Sequence, residues 1–225
     1  QQVLSQGHRV LRVFFYQQGV HWSSRFRVMP QDELNITALW QQLSLDYGIS
    51  LDNRDKVYAP TDGYISSFRQ SLPIYADSPY LSNSYSFSKY HAFSPDAVGT
   101  FKIHTAAVTG LDDKDVRLTK RLHLSKKRLR GFKQGMVGPK DGIDYVGGNY
   151  MMASNFEVAL PNVLPESTKT DIGVFLDFGN LWKVDYDSAI EDSNKIRSSA
   201  GMNIAWISPI GPMTFVMAKN ITKAT

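Results

Sequence analysis

Between Asn149 and Leu160, Tyr150, Met152, Ser154, Phe156, Val158 and Leu160 occupy even positions, while Asn149, Asn155 and Glu157 stand at odd ones. A period of two predicts a β-strand with one apolar and one polar face. Asp171 to Trp182 repeats the design, with Ile172, Val174, Leu176 and Phe178 opposite Asp171, Gly173, Asp177 and Gly179. Lys195 to Ser208 follows, setting Ile196, Ala200, Met202, Ile204 and Trp206 against Lys195, Arg197, Ser199 and Asn203. Leu39 to Leu51 places Leu39, Leu43, Leu45, Tyr47, Ile49 and Leu51 on one side, with Gln42, Ser44 and Asp46 on the other. Weaker alternation marks His8 to Tyr16, Tyr64 to Ile74, Ser82 to Phe93, Val98 to Val108 and Met213 to Asn220. About nine strands result, in a chain with no sustained helical period.

Many of these strands exceed the five or six residues usual in soluble sheets, and a tilted membrane strand needs about 9 to 11. No apolar run approaches the roughly 18 residues of a membrane helix, so a spanning structure of this chain is a closed barrel. A soluble β-sandwich fits the strands as well. Short turns, Phe93-Ser94-Pro95-Asp96 and Ser208-Pro209-Ile210-Gly211-Pro212, alternate with longer polar connections, an asymmetry of outer-membrane barrels. The longest connection runs from about Thr109 to Gly148, far beyond ordinary loop lengths, which marks it as functional or disordered.

Composition narrows the chemistry. The 225 residues show no linker or compositional break and read as one unit, with a formal net charge of +4. Much of the basic excess is local: Lys120, Arg121, Lys126, Lys127, Arg128, Arg130 and Lys133 all lie in the long connection. Without interleaved aromatic residues for base stacking, this run does not read as a nucleic-acid site; facing outward, the same cations would meet lipopolysaccharide phosphates. There is no cysteine, which excludes disulfides, thiolate metal ligands and thiol nucleophiles. His8, His21, His91, His104 and His123 have no metal-ligand spacing, and neither a serine-nucleophile elbow nor a phosphate-binding glycine loop occurs. Trp22, Trp40, Trp182 and Trp206 are candidates for interfacial girdles, the last two standing near strand ends. The sequons at Asn35 and Asn220 read as chance matches.

Inside the long connection lies Leu129-Arg130-Gly131-Phe132, followed by Gly138-Pro139 and Gly147-Gly148-Asn149. The tetrapeptide resembles the signature of the Omp85 superfamily. Four further elements match its BamA-like branch in order: the turn from Asn53-Arg54-Asp55 to Pro60-Thr61-Asp62-Gly63, Gly147-Gly148-Asn149, Leu176-Asp177-Phe178-Gly179-Asn180-Leu181-Trp182, and Ser208-Pro209-Ile210-Gly211-Pro212. The resemblance covers roughly residues 39 to 220. One departure is Leu124-Ser125-Lys126-Lys127, where the family usually has a glycine pair.

The resemblance implies an all-β, antiparallel transmembrane barrel, here partial, with about nine of an expected sixteen or so strands. The first half of the barrel, its last strand and the periplasmic POTRA domains are expected to be absent from residues 1–225. It further implies that the long connection folds into the lumen and that Arg130 points at acidic residues on the wall. Alternation separately puts Glu157 and Asp177 on the polar faces of adjacent strands, and they match the family's acidic positions. A guanidinium suits the task through its permanent charge and planar fork. Gly131 would allow a tight turn beside the wall and Phe132 an apolar contact.

The implied function is assembly and insertion of other β-barrel proteins, without covalent chemistry or cofactor, in the bacterial outer membrane. Its implied partners are unfolded barrel clients, accessory periplasmic lipoproteins, and outer-membrane lipid and lipopolysaccharide, with no nucleic acid. A translocation pore of the same superfamily and a passive porin-like channel are the alternatives.

Overall fold

Alternating residues become neighbouring strands when each hydrogen-bonds the next in sequence, which needs only a turn between them. The computed structural model describes residues 10–17, 42–76, 78–161, 163–168, 170–188, 190, 195–208 and 210–222. Nine strands form one antiparallel sheet in sequence order. They are β1 (Val10–Gln17), β2 (Gln42–Asp52), β3 (Gly63–Ala76), β4 (Tyr80–Ser94), β5 (Ala97–Gly110), β8 (Tyr150–Leu160), β9 (Thr170–Trp182), β10 (Arg197–Ser208) and β11 (Gly211–Asn220). Two short strands, β6 (Lys140–Asp141) and β7 (Asp144–Tyr145), pair only with each other, inside the connection between β5 and β8. Among the described residues β1 and β11 are edges that do not pair, so the sheet is a partial barrel.

Every expected strand has a counterpart, with shifted ends. The strand expected from Leu39 begins at Gln42, and Leu39, Trp22, Trp40, His8, His21 and the Asn35 sequon lie outside the described residues. Parity holds across the register: Phe101 pairs with Phe156 and Phe156 with Leu176, all on the convex wall. On the concave side Asn155 pairs with Asp177, and Asp177 with Ser199.

The alternation of short and long connections is not strict. Residues 53–62, 95–96, 161–169 and 209–210 connect strands at one end, and 77–79, 111–149 and 183–196 at the other. The brief 77–79 turn stands at the end bearing the two long loops. Two neighbouring antiparallel strands need only a tight turn, so extra length reflects what a loop covers.

The turn from Asn53 to Gly63 is built around Asp55. Its Oδ1 accepts from the backbone N–H groups of Thr61 (2.9 Å) and Asp62 (3.1 Å), and its Oδ2 from the Thr61 hydroxyl (2.5 Å). Burial would raise the carboxyl pKa, but these donors outweigh it and lower it from 3.8 to about 2. The turn should therefore be fully stabilised above about pH 4 and lose that contribution as pH falls toward about 2. Hydrogen exchange of the Thr61 and Asp62 amides will show this acid-side loosening, and Asp55→Asn should remove its pH dependence.

The apolar core lies between sheet and loop. Leu124, Leu129, Phe132 and Val137 of the long connection pack on Ala106 of β5, Met151 and Ala153 of β8 and Leu181 of β9. Among the described residues the loop supplies the second layer against the concave face of the sheet.

Candidate functional site

The long connection turns back on itself just ahead of the signature. The Ser125 carbonyl accepts from the N–H groups of Arg128 (2.9 Å) and Leu129 (3.2 Å), a tight bend formed without the family's glycine pair. Leu124 and Leu129, both buried, anchor this bend in the core. Between two buried apolar residues, Leu129 and Phe132, the chain carries Arg130 to the wall.

Asp177 on β9 is the receptor. Its side chain is fully buried and meets the guanidinium as a fork, with Nε to Oδ2 at 2.8 Å and Nη2 to Oδ1 at 2.7 Å. The backbone N–H of Arg130 donates to the same Oδ2 at 3.1 Å, and Asn155 Nδ2 donates to Oδ1 at 2.8 Å. Four donors thus surround a carboxylate removed from water, which is what a buried charge requires. On the guanidinium's other side, Nη1 reaches Glu157 Oε2 of β8 at 3.2 Å. Asn203 Nδ2 of β10 holds the second oxygen of Glu157 at 2.7 Å.

Phe175 completes the seat, its ring centroid 3.5 Å from the Arg130 Cζ. The stacked ring attracts the cation through its π face and covers it from water. Burial lowers the guanidinium pKa, yet Asp177 and then Glu157 outweigh that effect and hold it above its ordinary value. Arg130 is therefore a permanent cation between two carboxylates, each accepting further hydrogen bonds from the wall. This arrangement fixes a loop in place; it offers no free acid or base.

Glycines make the close approach possible. A Cβ on Gly201 would lie 2.0 Å from the Met217 carbonyl oxygen and 2.7 Å from the Phe175 ring. Gly131 has φ +86°, and a Cβ there would meet Asn220 Oδ1 at 2.6 Å. Beside it the Ser199 hydroxyl donates to the Arg130 carbonyl at 2.5 Å. Gly131→Ala should weaken loop docking by about 1–3 kcal/mol through its left-handed backbone and this contact. Limited proteolysis of the loop, compared with the unsubstituted protein, measures it.

The structure thus brings Leu129, Arg130, Gly131, Phe132, Glu157 and Asp177 into one site. It adds Asn155, Phe175, Ser199, Gly201 and Asn203, which sequence reasoning had not assigned to it. Their signal was present but incomplete: Asn155, Ser199 and Asn203 occupy the polar parity of their strands, whereas Phe175 is an apolar residue on that same face.

The basic run divides by contact. Arg121 lies over the Tyr186 ring at 4.3 Å and 3.7 Å from Asp185, tying the loop to residues 183–196. Lys126, Lys127 and Lys133 line a concave-side cavity of about 840 Å³ with Thr214 and Val216 of β11. They therefore face lumen space and not an outward lipopolysaccharide layer. Among the described residues, no three His, Asp or Glu side chains converge as metal ligands would.

Comparison with known proteins agrees with this architecture. The Omp85 superfamily domain matches residues 9–225. The chain is 26% identical over 185 residues to the outer membrane protein assembly factor BamA of Neorickettsia risticii, covering 80% of this chain and 25% of that protein. It therefore spans about a quarter of the length of this relative. The crystal structure of BamA from Haemophilus ducreyi lacking POTRA domains 1-3 superposes with a TM-score of 0.73 at 25% identity, covering 89% of this chain and 43% of that one. A separate likeness, 46% over 50 residues, is to the sulfurtransferase TusD homolog of Aliivibrio fischeri, covering 22% of this chain and 38% of that protein.

Proposed function

Since the chain belongs to the Omp85 superfamily, a family of the outer membrane, we propose that it forms the latch-bearing part of a barrel that assembles and inserts other β-barrel proteins. The observation that carries this reading is the seating of Arg130 on Asp177, Glu157 and Phe175, which pins a long loop inside the barrel. A client strand entering lipid must cover its unpaired backbone groups, since each exposed group costs several kcal/mol there. A barrel wall that opens along a seam offers an edge to pair with. The wall must stay folded while that edge opens. A loop fixed across β8, β9 and β10 supports the wall from within without closing the seam.

In this reading the clients are unfolded outer-membrane β-barrel proteins, delivered with the help of accessory periplasmic lipoproteins. No bond of a client is made or broken, and no cofactor takes part.

The test uses the full-length protein carrying Arg130→Ala or Arg130→Lys as its sole copy. Assembly of other barrels is followed by their heat-modifiable mobility. Both variants should assemble fewer barrels, alanine the more severely. Normal assembly with either would overturn the latch, while normal assembly with loss of one secreted substrate would assign the chain to a translocation pore.

A further inference from the structure

Opposite the latch, on the lipid-facing side of β4, β5, β8 and β9, the wall is grooved. The groove encloses about 440 Å³, and Phe101, Phe156 and Val174 line it. The rings of Phe101 and Phe156 lie 4.8 Å apart, while Phe156 and Val174 remain about half exposed. Gly99 opens one end. Phe93 lies across it, so closely that a Cβ at 99 would come within 2.4 Å of the ring. Gly99 and Phe93 together form a lip near the short turn at residues 95–96.

The rim is charged. Register places Lys89 beside Phe101 and His91 beside Gly99, and both line the groove. Lys89 is exposed on the convex wall, four residues and so about 13 Å along the strand from Phe93. A cation on the lipid face is unfavourable, by an amount that falls from about 2–4 kcal/mol at mid-membrane toward zero at the interface. A lysine lowers that cost by extending toward the headgroups while its stem covers apolar surface. His91 meets the Phe93 ring edge-on at 5.3 Å, and its Nδ1 is 3.5 Å from Asp62 Oδ1. Asp62 would repel an anion approaching past His91, which leaves Lys89 as the main contact.

An apolar groove in contact with lipid and edged by an ammonium matches an acyl chain joined to an anionic headgroup. Short turns of outer-membrane barrels face the periplasm, so the 95–96 turn assigns the groove to that leaflet. We propose that the groove is a binding site for one anionic phospholipid of the periplasmic leaflet, with an acyl chain against Phe101, Phe156 and Val174 and its phosphate on Lys89. The proposal rests on the barrel lying in the membrane, but not on the assembly activity.

The experiment places the full-length protein in lipid nanodiscs containing a trace of phospholipid with a photoactivatable acyl chain. The headgroup is either phosphatidylglycerol or phosphatidylcholine. The glycerol form should crosslink about fivefold more strongly, a preference expected of one lysine near the surface, with labels on the peptides bearing Phe101 and Phe156. Lys89→Gln should bring the two headgroups to equal yield, and Gly99→Leu should lower both by filling the groove. Heat-modifiable mobility confirms that each variant is folded; if Gly99→Leu fails that check, the Lys89→Gln comparison decides. Equal yields from both headgroups in the unsubstituted protein, labelling elsewhere on the wall, or an unchanged preference in Lys89→Gln would overturn the site. A protein that does not enter the bilayer would instead overturn the membrane placement on which the proposal rests.

Discussion

Arg130→Ala is expected to release the long loop from the wall, costing its docking about 3–5 kcal/mol, because a fully buried Asp177 loses its charge partner. The loss exceeds that of an ordinary hydrogen bond. Asn155 remains as a donor to Asp177, but a neutral amide does not balance a buried carboxylate. Arg130→Lys keeps the charge and loses the fork and the stacking on Phe175, so an intermediate loss of about 1–3 kcal/mol is expected. Hydrogen exchange across residues 111–149 of the full-length protein measures both. Pairing Arg130→Ala with Asp177→Ala gives a double-mutant cycle. Strong coupling, with the double variant less impaired than the sum of the singles, is the expected result; additivity would mean that the pair does not hold the loop.

Leu129→Ala tests the apolar half of the same attachment. Leu129 is 2% exposed and packs in the cluster that joins the loop to β5, β8 and β9. Truncating it removes that packing and leaves a cavity, at an expected cost of about 2–5 kcal/mol. Since the residue precedes Arg130, the lost packing should also loosen the guanidinium's approach to Asp177. The checkable outcome is cleavage of the loop by added protease at a rate approaching that of Arg130→Ala. Leu129→Met, which conserves most of the volume, should stay close to the unsubstituted protein. If Leu129→Ala leaves the loop as protected as before, the ion pair alone holds it.

The two attachments have different dependences. The ion pair is buried and little screened by salt, and Arg130 keeps its charge at any working pH. The apolar cluster weakens on cooling. Loop release that grows at low temperature would therefore identify the cluster as the weaker attachment.

Much of the wall was legible because a strand's faces follow from a period of two within one short segment. Tyr150 to Leu160 and Asp171 to Trp182 show it: Phe156, Val174 and Leu176 stand on the outward parity, Glu157 and Asp177 on the inward one. Strand ends were less legible, since β3 runs two residues past Ile74, to Ala76, on backbone pairing that no side-chain pattern marks. Loop asymmetry was legible only in part, since the length of residues 77–79 depends on nothing that alternates.

By itself the sequence determined which residues share a face of each strand, Glu157 and Asp177 on polar ones; that the cation in Leu129-Arg130-Gly131-Phe132 meets them was implied by the resemblance to the Omp85 superfamily. Only the tertiary structure decided how they meet. Register aligns Asn155, Asp177 and Ser199 across three strands, and Gly201 leaves space for Phe175 to lie beneath the guanidinium. It also decided that Lys126, Lys127 and Lys133 face the lumen. The physical reason is one of range: side-chain alternation is set between neighbouring residues, whereas register and the return of a long loop depend on contacts between residues far apart in the chain.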